Sequence, residues 1–278
     1  MPDRRGPASQ HGLLATVGLV LPADQLSRLG PAIERLSERI ERSAGTLHIH
    51  LAHGGNLLRC LQRVQAGPAG PLLCWWHGMP PGSPCEDAVA RRLEELSSEG
   101  HGLLVIGGDL PPLRGPHARL LPDAVHRLEA LLEAALERGV CWFLNTFSPC
   151  SDHDGLRWDR LCTRLLRSHR LPELPPDRML ERGTPVAVCG DRGDRLLESC
   201  AAVWAQGGRP LVVSPEPGIL RQVDADLLCA EVDCSALLDA AAERMVAHIE
   251  RRARLRPGCA RIDVPIQISH YHRGRSRG

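Results

Sequence analysis

The chain contains no lysine, and only 3% of its residues are aromatic. Its 34 basic residues are therefore all arginine, which excludes mechanisms that need a lysine amine, such as Schiff-base catalysis or a phosphate-binding P-loop. No apolar run reaches the length of a membrane span, so we expect no membrane association. A formal net charge of +1 gives no indication of a surface for nucleic acid.

Catalytic and disulfide motifs are also missing. The 11 cysteines form no C-x-x-C pair, and we expect no secretory signal, so reduced thiols and a cytoplasmic location are predicted. Neither a G-x-S-x-G elbow nor a G-x-G-x-x-G loop occurs, and no cysteine has a motif that marks an activated thiolate. We therefore expect no cofactor and no catalysis.

Apolar patterns of two periods alternate along the chain. Residues 15–21 form a short run rich in β-formers, and the apolar positions of residues 25–42 then recur every three or four residues, as on one face of a helix. This alternation continues to a closing strand predicted at residues 260–268. Repeated strand and helix units predict an α/β fold with parallel sheets and helices on both faces.

The length of 278 residues suits two lobes of about 100 to 150 residues each. The stretch after Asn145 is rich in Ser, Pro, Asp and Gly, which is typical of a linker. Only one helix fits between Asn145 and Val186. The predicted segments are a disordered N-terminus at 1–14, an N-terminal α/β lobe at 15–146, a C-terminal α/β lobe at 147–268 and a basic tail at 269–278.

Motifs in the second half resemble those of a known family in order and spacing. They are Val186-Ala-Val-Cys-Gly-Asp-Arg-Gly193, the strand from Leu211 to Glu216, Glu231-Val-Asp233, the helix from Ala236 to Glu250 and the proline-containing strand from Ile262 to Ile268. Together they resemble the sugar-sensing domain of LacI/GalR-type transcription regulators, and most closely the sensor of AraC-type xylose operon regulators.

The resemblance implies two Rossmann-like lobes of the periplasmic-binding-protein type I fold. Because only one helix fits between Asn145 and Val186, comparison with the family also implies that the second lobe is reduced. It also implies a small ligand, such as a sugar or sugar phosphate, bound between the lobes, together with a homodimer and a role in transcription regulation. Neither the first 14 nor the last ten residues could fold the helix-turn-helix that accompanies such sensors. We therefore expect DNA to be reached only through a separate partner.

The ligand site is predicted at the carboxyl ends of the parallel strands, where open α/β sheets bind ligands. Polar residues there could pair with sugar hydroxyls, and a tryptophan ring could cover the sugar. The predicted ligand-binding residues are Asp24, Gln25, Asp109, Asn145, Asp191, Arg192, Glu216 and Trp75. Two structural roles stay open, because Asp and Asn commonly cap helices or close turns and tryptophans commonly pack in cores.

Two other functions are considered. His48 and His50 lie two residues apart in a predicted strand, which places both imidazoles on one face, where they could hold the metal of a metal-dependent hydrolase. Alternatively, the chain is a degenerate sensor that acts as an interaction module. A ligand sensor without catalytic residues is the favoured prediction.

Overall fold

The structure is a computed structural model that describes residues 15–53, 56–64, 70–76, 86–107, 117–147, 152–153, 156–190, 192–214, 225–252 and 254–272. The predicted disordered N-terminus lies outside these residues. Within them, two β-sheets carry helices on both faces, as expected for an α/β fold.

The first sheet has six parallel strands. In chain order they are β1 (Ala15–Pro22), β2 (Gly45–Ala52), β3 (Leu72–Trp75), β4 (Leu103–Ile106), β5 (Ala118–Pro122) and β12 (Gly258–Ile262). Their spatial order is β12-β5-β4-β3-β1-β2. One face is covered by α1 (Leu26–Arg42) and α7 (Cys234–Ile249), and the other by α2 (Leu57–Arg63) and α3 (Glu86–Ser98).

The second sheet has five strands. They are β6 (Trp142–Asn145), β9 (Pro185–Cys189), β10 (Arg209–Ser214), β11 (Asp226–Val232) and β13 (Ile266–Tyr271). Their spatial order is β13-β11-β10-β9-β6, and only β13 is antiparallel to its neighbour. Helices α4 (Ala124–Leu136) and α5 (Trp158–Ser168) cover one face, and α6 (Gly193–Ala205) covers the other. A short antiparallel pair, β7 (Asp152–His153) and β8 (Leu156–Arg157), precedes α5.

Burial explains why these segments form strands and helices. Every residue of β3 and β4 is buried, as expected for central parallel strands covered on both faces. Helix α1 buries Leu29, Ile33, Leu36 and Ile40, which recur at helical spacing on one face. None of the helices in the described ranges is both long and apolar enough to cross a lipid bilayer.

The chain passes between the two sheets at three places, whereas the sequence suggested one boundary at residue 146. Helix α4 follows β5 directly but packs on the second sheet, and α7 follows β11 but packs on the first. The third passage leads from β12 to β13. Hydrophobic periodicity locates strands and helices but does not say which sheet they join, so these passages were not predicted.

Two predictions about strands were wrong. The single closing strand at 260–268 is instead β12 and β13, one in each sheet, separated by Asp263–Pro265. Strand β5 was not predicted, although Pro122 ends it and Asp123 separates it from α4. Residues 269–271, assigned to the basic tail, pair with β11 as part of β13. The single helix predicted between Asn145 and Val186 is α5.

Candidate functional site

The three passages between the sheets lie side by side at the carboxyl ends of the parallel strands. The amide N–H of Asp123, in the first passage, donates to the carbonyl oxygen of Ile262 at 2.8 Å. The amide N–H of Asp233, in the second, donates to the carbonyl oxygen of Pro265 at 2.9 Å. The third passage is therefore hydrogen-bonded to both of the others, and the three together form the connection between the lobes.

A cavity of about 340 Å³ opens beside the second and third passages. This volume lies at the lower end of the range of about 300–1,000 Å³ that small-molecule sites occupy. Both lobes contribute walls, since α1 and the start of α7 belong to the first lobe, and the end of β11 and the start of β13 belong to the second. The described lining residues are Arg28, Glu231, Val232, Asp233, Cys234, Ser235, Pro265, Ile266 and Gln267.

The polar side chains of the cavity offer both donors and acceptors. The Arg28 guanidinium and the Gln267 amide make no side-chain hydrogen bond within the described part of the chain, so both can contact a ligand. Oδ1 of Asp233 accepts the amide N–H groups of Ser235 and Ala236, at 2.8 and 3.1 Å, and thereby caps α7. Paired donors and acceptors of this kind suit a ligand with several hydroxyl groups.

Glu231 is held in place from its own sheet. Its Oε1 accepts hydrogen bonds from the Tyr271 hydroxyl at 2.7 Å and the Ser269 hydroxyl at 3.1 Å. The hydrogen bond to Glu231 is the main reason why the pKa of Tyr271 is raised, so the phenol stays a donor. Glu231 thus lines the cavity, and these two hydrogen bonds hold its carboxylate on the side of Ser269 and Tyr271.

The cavity also contains a thiol, Cys234, at the start of α7. Burial is the largest cause of its raised pKa, and the negative charges of Asp233 and Glu231 act in the same direction while Arg28 opposes them. A protonated, buried thiol is a poor nucleophile. The cavity can thus bind a polar molecule, and its cysteine is not activated for attack.

Asp24 and Gln25, from the predicted ligand-binding set, lie at the expected edge of the first sheet. They form a short 3-10 turn after β1 and lead directly into α1. Asp24 is exposed and Gln25 is half-buried. Both precede Arg28 by about one helical turn, and neither is among the described residues that line the cavity.

Asn145 is engaged within the second lobe. Its Nδ2 donates to the backbone oxygen of Asp159 at 3.1 Å and to Oγ1 of Thr163 at 3.0 Å, both on α5. Its Oδ1 accepts the amide N–H of Phe147 at 3.2 Å. These contacts fit the turn-closing role that was left open, since both amide hydrogens are already donated to protein acceptors.

Arg192 precedes α6 at the carboxyl edge of the second sheet and is exposed. Its guanidinium binds the Asp194 carboxylate through two contacts, Nε to Oδ1 at 3.2 Å and a terminal nitrogen to Oδ2 at 2.8 Å. This hydrogen bonding is the main cause of the lowered pKa of Asp194. Arg192 therefore occupies the predicted edge but already has an acidic partner.

Trp75 is fully buried in the core between the first sheet and helices α1 and α7. Its ring cannot contact a ligand in a cleft, so it has the core-packing role that was left open for the tryptophans. The remaining predicted ligand-binding residues, Asp109, Asp191 and Glu216, lie outside the described residues.

The two histidines of the hydrolase alternative lie on β2, the edge strand of the first sheet. Burial, and then the charge of His48, lower the pKa of half-buried His50. Within the described ranges, neither imidazole belongs to a group of three potential metal ligands. The hydrolase alternative therefore receives no support from this strand.

The cavity residues themselves were missed at the sequence level. Asp233 could have been selected, because it stands between a predicted strand and a predicted helix, as Asp24 does. Arg28 and Gln267 carried no such indication, since one lies on the polar face of an amphipathic helix and the other inside a predicted strand. Only the passage of the chain between the sheets brings the three together.

No protein-family model matches the chain, and no curated protein matches it. Solved structures do resemble it in fold. The CelR transcriptional regulator in complex with cellobiose is 12% identical, with a TM-score of 0.51 over 91% of this chain and 83% of that one. The Cra transcriptional dual regulator from Pseudomonas putida in complex with fructose 1-phosphate is 14% identical, with a TM-score of 0.51 over 91% and 97%.

A transport protein is similar to the same extent. An ABC sugar transporter subunit from Rhodobacter sphaeroides 2.4.1 is 16% identical, with a TM-score of 0.50 over 92% of this chain and 97% of that one. At these identities the likeness shows the fold, which is α/β with two Rossmann-like lobes of the periplasmic-binding-protein type I kind. The narrower resemblance to a xylose sensor stays a prediction.

Proposed function

We propose that this chain is a sensor domain that binds a small polyhydroxylated ligand, a sugar or a sugar phosphate, between its lobes. The observation that carries the proposal is the cavity beside the passages between the lobes, because its walls come from both sheets. Arg28 reaches it from the first lobe, and Glu231 and Gln267 reach it from the second. A ligand held by all three residues would favour one relative orientation of the lobes.

The chemistry of the lining supports a polar ligand. An arginine fork, a carboxylate and an amide can each make two hydrogen bonds to neighbouring hydroxyl groups, and arginine also pairs with phosphate. The structurally similar CelR and Cra regulators were solved with cellobiose and with fructose 1-phosphate. These likenesses support the ligand class and leave the individual sugar open.

Closure of the lobes would couple binding to a response. A ligand that contacts both lobes only when they are close together shifts the equilibrium towards the closed form by its difference in affinity for the two forms. We further propose that the sensor is a cytoplasmic homodimer linked to transcription through a separate DNA-binding partner. That part of the proposal depends on the resemblance to LacI/GalR-type regulators alone.

Calorimetric titration with a panel of pentoses, hexoses, disaccharides and sugar phosphates tests the proposal. We expect at least one compound to bind, and we expect Arg28→Ala and Gln267→Ala to weaken that binding by about tenfold or more, since each removes a hydrogen-bonding group from the cavity. Arg42→Ala is the matched control, because Arg42 lies at the other end of α1 and pairs with Glu38.

Two results would contradict the proposal. If no compound of the panel binds, the interaction-module alternative is favoured. If a compound binds with the same affinity to the Arg28→Ala, Gln267→Ala and unaltered proteins, its site lies elsewhere in the chain.

A further inference from the structure

A second group of polar side chains lies at the opposite end of β11 from the cavity. Asp226 is the first residue of β11, His270 lies near the end of β13, and His272 directly follows that strand. Strand pairing places Leu228 opposite His270, so Asp226 falls opposite His272. One potential ligand atom from each of these three residues lies within 4.8 Å of the other two.

The three side chains share one face of the sheet. Residues two apart in a strand point the same way, so His270 and His272 project to the side on which Ile266 and Ile268 pack against the α4 core. The same rule places Asp226 on the side of Leu228, which belongs to that core. The cluster thus results from strand register.

His270 is the central member of this group. Its Nε2 atom is buried and has no hydrogen-bond partner within the described part of the chain, a state that normally costs free energy. The His270 and His272 rings lie with their centroids 3.9 Å apart. Two imidazolium ions at that separation would repel each other, whereas neutral rings can share one cation.

Burial and neighbouring charges lower the pKa of His270. Burial is the largest cause of its lowered pKa, followed by the charges of His272 and Arg138, while Asp226 acts in the opposite direction and Arg209 adds a smaller lowering effect. A neutral imidazole has a free lone pair, which is the form that binds metals. The two arginines also repel a cation, so they reduce the affinity of any site here.

We propose that Asp226, His270 and His272 bind one divalent transition-metal ion, such as Zn²⁺ or Co²⁺. Two imidazoles and one carboxylate suit these ions, whereas Ca²⁺ and Mg²⁺ prefer oxygen ligands alone. Ligand atoms on tetrahedral zinc are about 3.3 Å apart, and Nδ1 of His272 lies 3.9 Å from Oδ1 of Asp226. Small side-chain rotations close that difference and leave a coordination position for water.

This site goes beyond the proposed ligand binding. About 20 Å of strand separates Asp226 from the passage at Asp233. Strand β13 is the edge strand and pairs only with β11 among the described strands. A metal ion that joins the first residue of β11 to the last residues of β13 would fix the outer end of this edge strand, which the third passage connects to the first lobe.

Co²⁺ titration of the full, tag-free and reduced chain tests the proposal by visible absorption. We expect one Co²⁺ per chain, displaced by Zn²⁺, with bands of nitrogen and oxygen ligation and no intense near-ultraviolet band from thiolate. His272→Ala changes an exposed side chain, and Asp226→Asn keeps the size of the carboxylate. Each is expected to weaken binding by about tenfold or more.

The double variant His48→Ala/His50→Ala is the matched control, since it removes the other neighbouring pair of histidines from a strand. We expect it to bind Co²⁺ as the unaltered chain does, and circular dichroism confirms that each variant is folded. Equal affinity in the His272→Ala and Asp226→Asn variants, loss only in the double variant, a thiolate band or absence of binding would each overturn the proposal. None of these outcomes depends on sugar binding.

Discussion

The amide N–H of Asp233 and the carbonyl oxygen of Pro265 are hydrogen-bonded at 2.9 Å, which ties two of the three passages between the lobes together. Both residues also line the cavity. A rotation of one lobe against the other must therefore occur at the wall of the cavity itself. A ligand bound in the cavity as proposed would therefore contact the segments that move when the lobes close.

In the first passage between the lobes, Asp123 holds the start of α4 in place. Oδ1 of Asp123 accepts the amide N–H of Val125 at 2.9 Å and so caps α4. We expect Asp123→Ala to lower the free energy of unfolding by about 1 kcal/mol, because the helix start loses that acceptor. Asp123→Asn keeps a side-chain oxygen as acceptor, so its free energy of unfolding, measured by urea denaturation, should fall much less. If both variants lose the same free energy of unfolding, the side-chain cap of Asp123 does not stabilise α4.

A close approach at the end of β9 gives a second prediction. A Cβ atom on Gly190 would lie 2.2 Å from Oγ1 of Thr146 and 2.9 Å from Cδ2 of Leu196. We expect Gly190→Ala to lower the free energy of unfolding by about 1–3 kcal/mol through overpacking.

The double variant Thr146→Ala/Gly190→Ala is the control for that contact. Removal of Oγ1 relieves the shortest contact, so the double variant should lose less stability than the sum of the two single variants. Simple additivity in thermal or urea unfolding would contradict the contact between residues 146 and 190.

Much of the fold could be predicted from periodicity, because α1 and the buried strands of both sheets have patterns set by their own burial. The assignment of α4 to the second sheet could not, since its apolar face would suit either sheet. The cavity shows the same limit, because Arg28 and Gln267 are far apart in sequence and meet only through the passages. Asp24 and Gln25 were placed at the correct edge by the rule for strand ends, and that rule gave no information on side-chain partners such as those of Asn145.

Thiol reactivity gives a third prediction. Burial raises the pKa of Cys74 to about 12, and the hydrogen bond with Cys189, followed by burial, raises that of Cys162. Cys141 and Cys259 are exposed. We expect alkylation of the native chain at about pH 8 to modify Cys141 and Cys259 and to spare the buried Cys74, Cys162 and Cys189. Peptide mapping by mass spectrometry checks this, and rapid labelling of Cys162 without unfolding would contradict the packing of α5 on β9.

The acid sensitivity of the first lobe gives the last prediction and follows from His50. Burial is the main cause of its lowered pKa, so protonation favours the unfolded chain. Stability is therefore lost as the pH falls through the ordinary histidine value of about 6.5 towards the lower folded-state value, and the loss ends below the latter. We expect His50→Gln to reduce the fall in urea midpoint between about pH 8 and about pH 5. If the variant loses as much stability as the unaltered chain over this interval, the acid sensitivity arises from other groups, and the imidazole of His50 is better solvated than its position beside Gly18 implies.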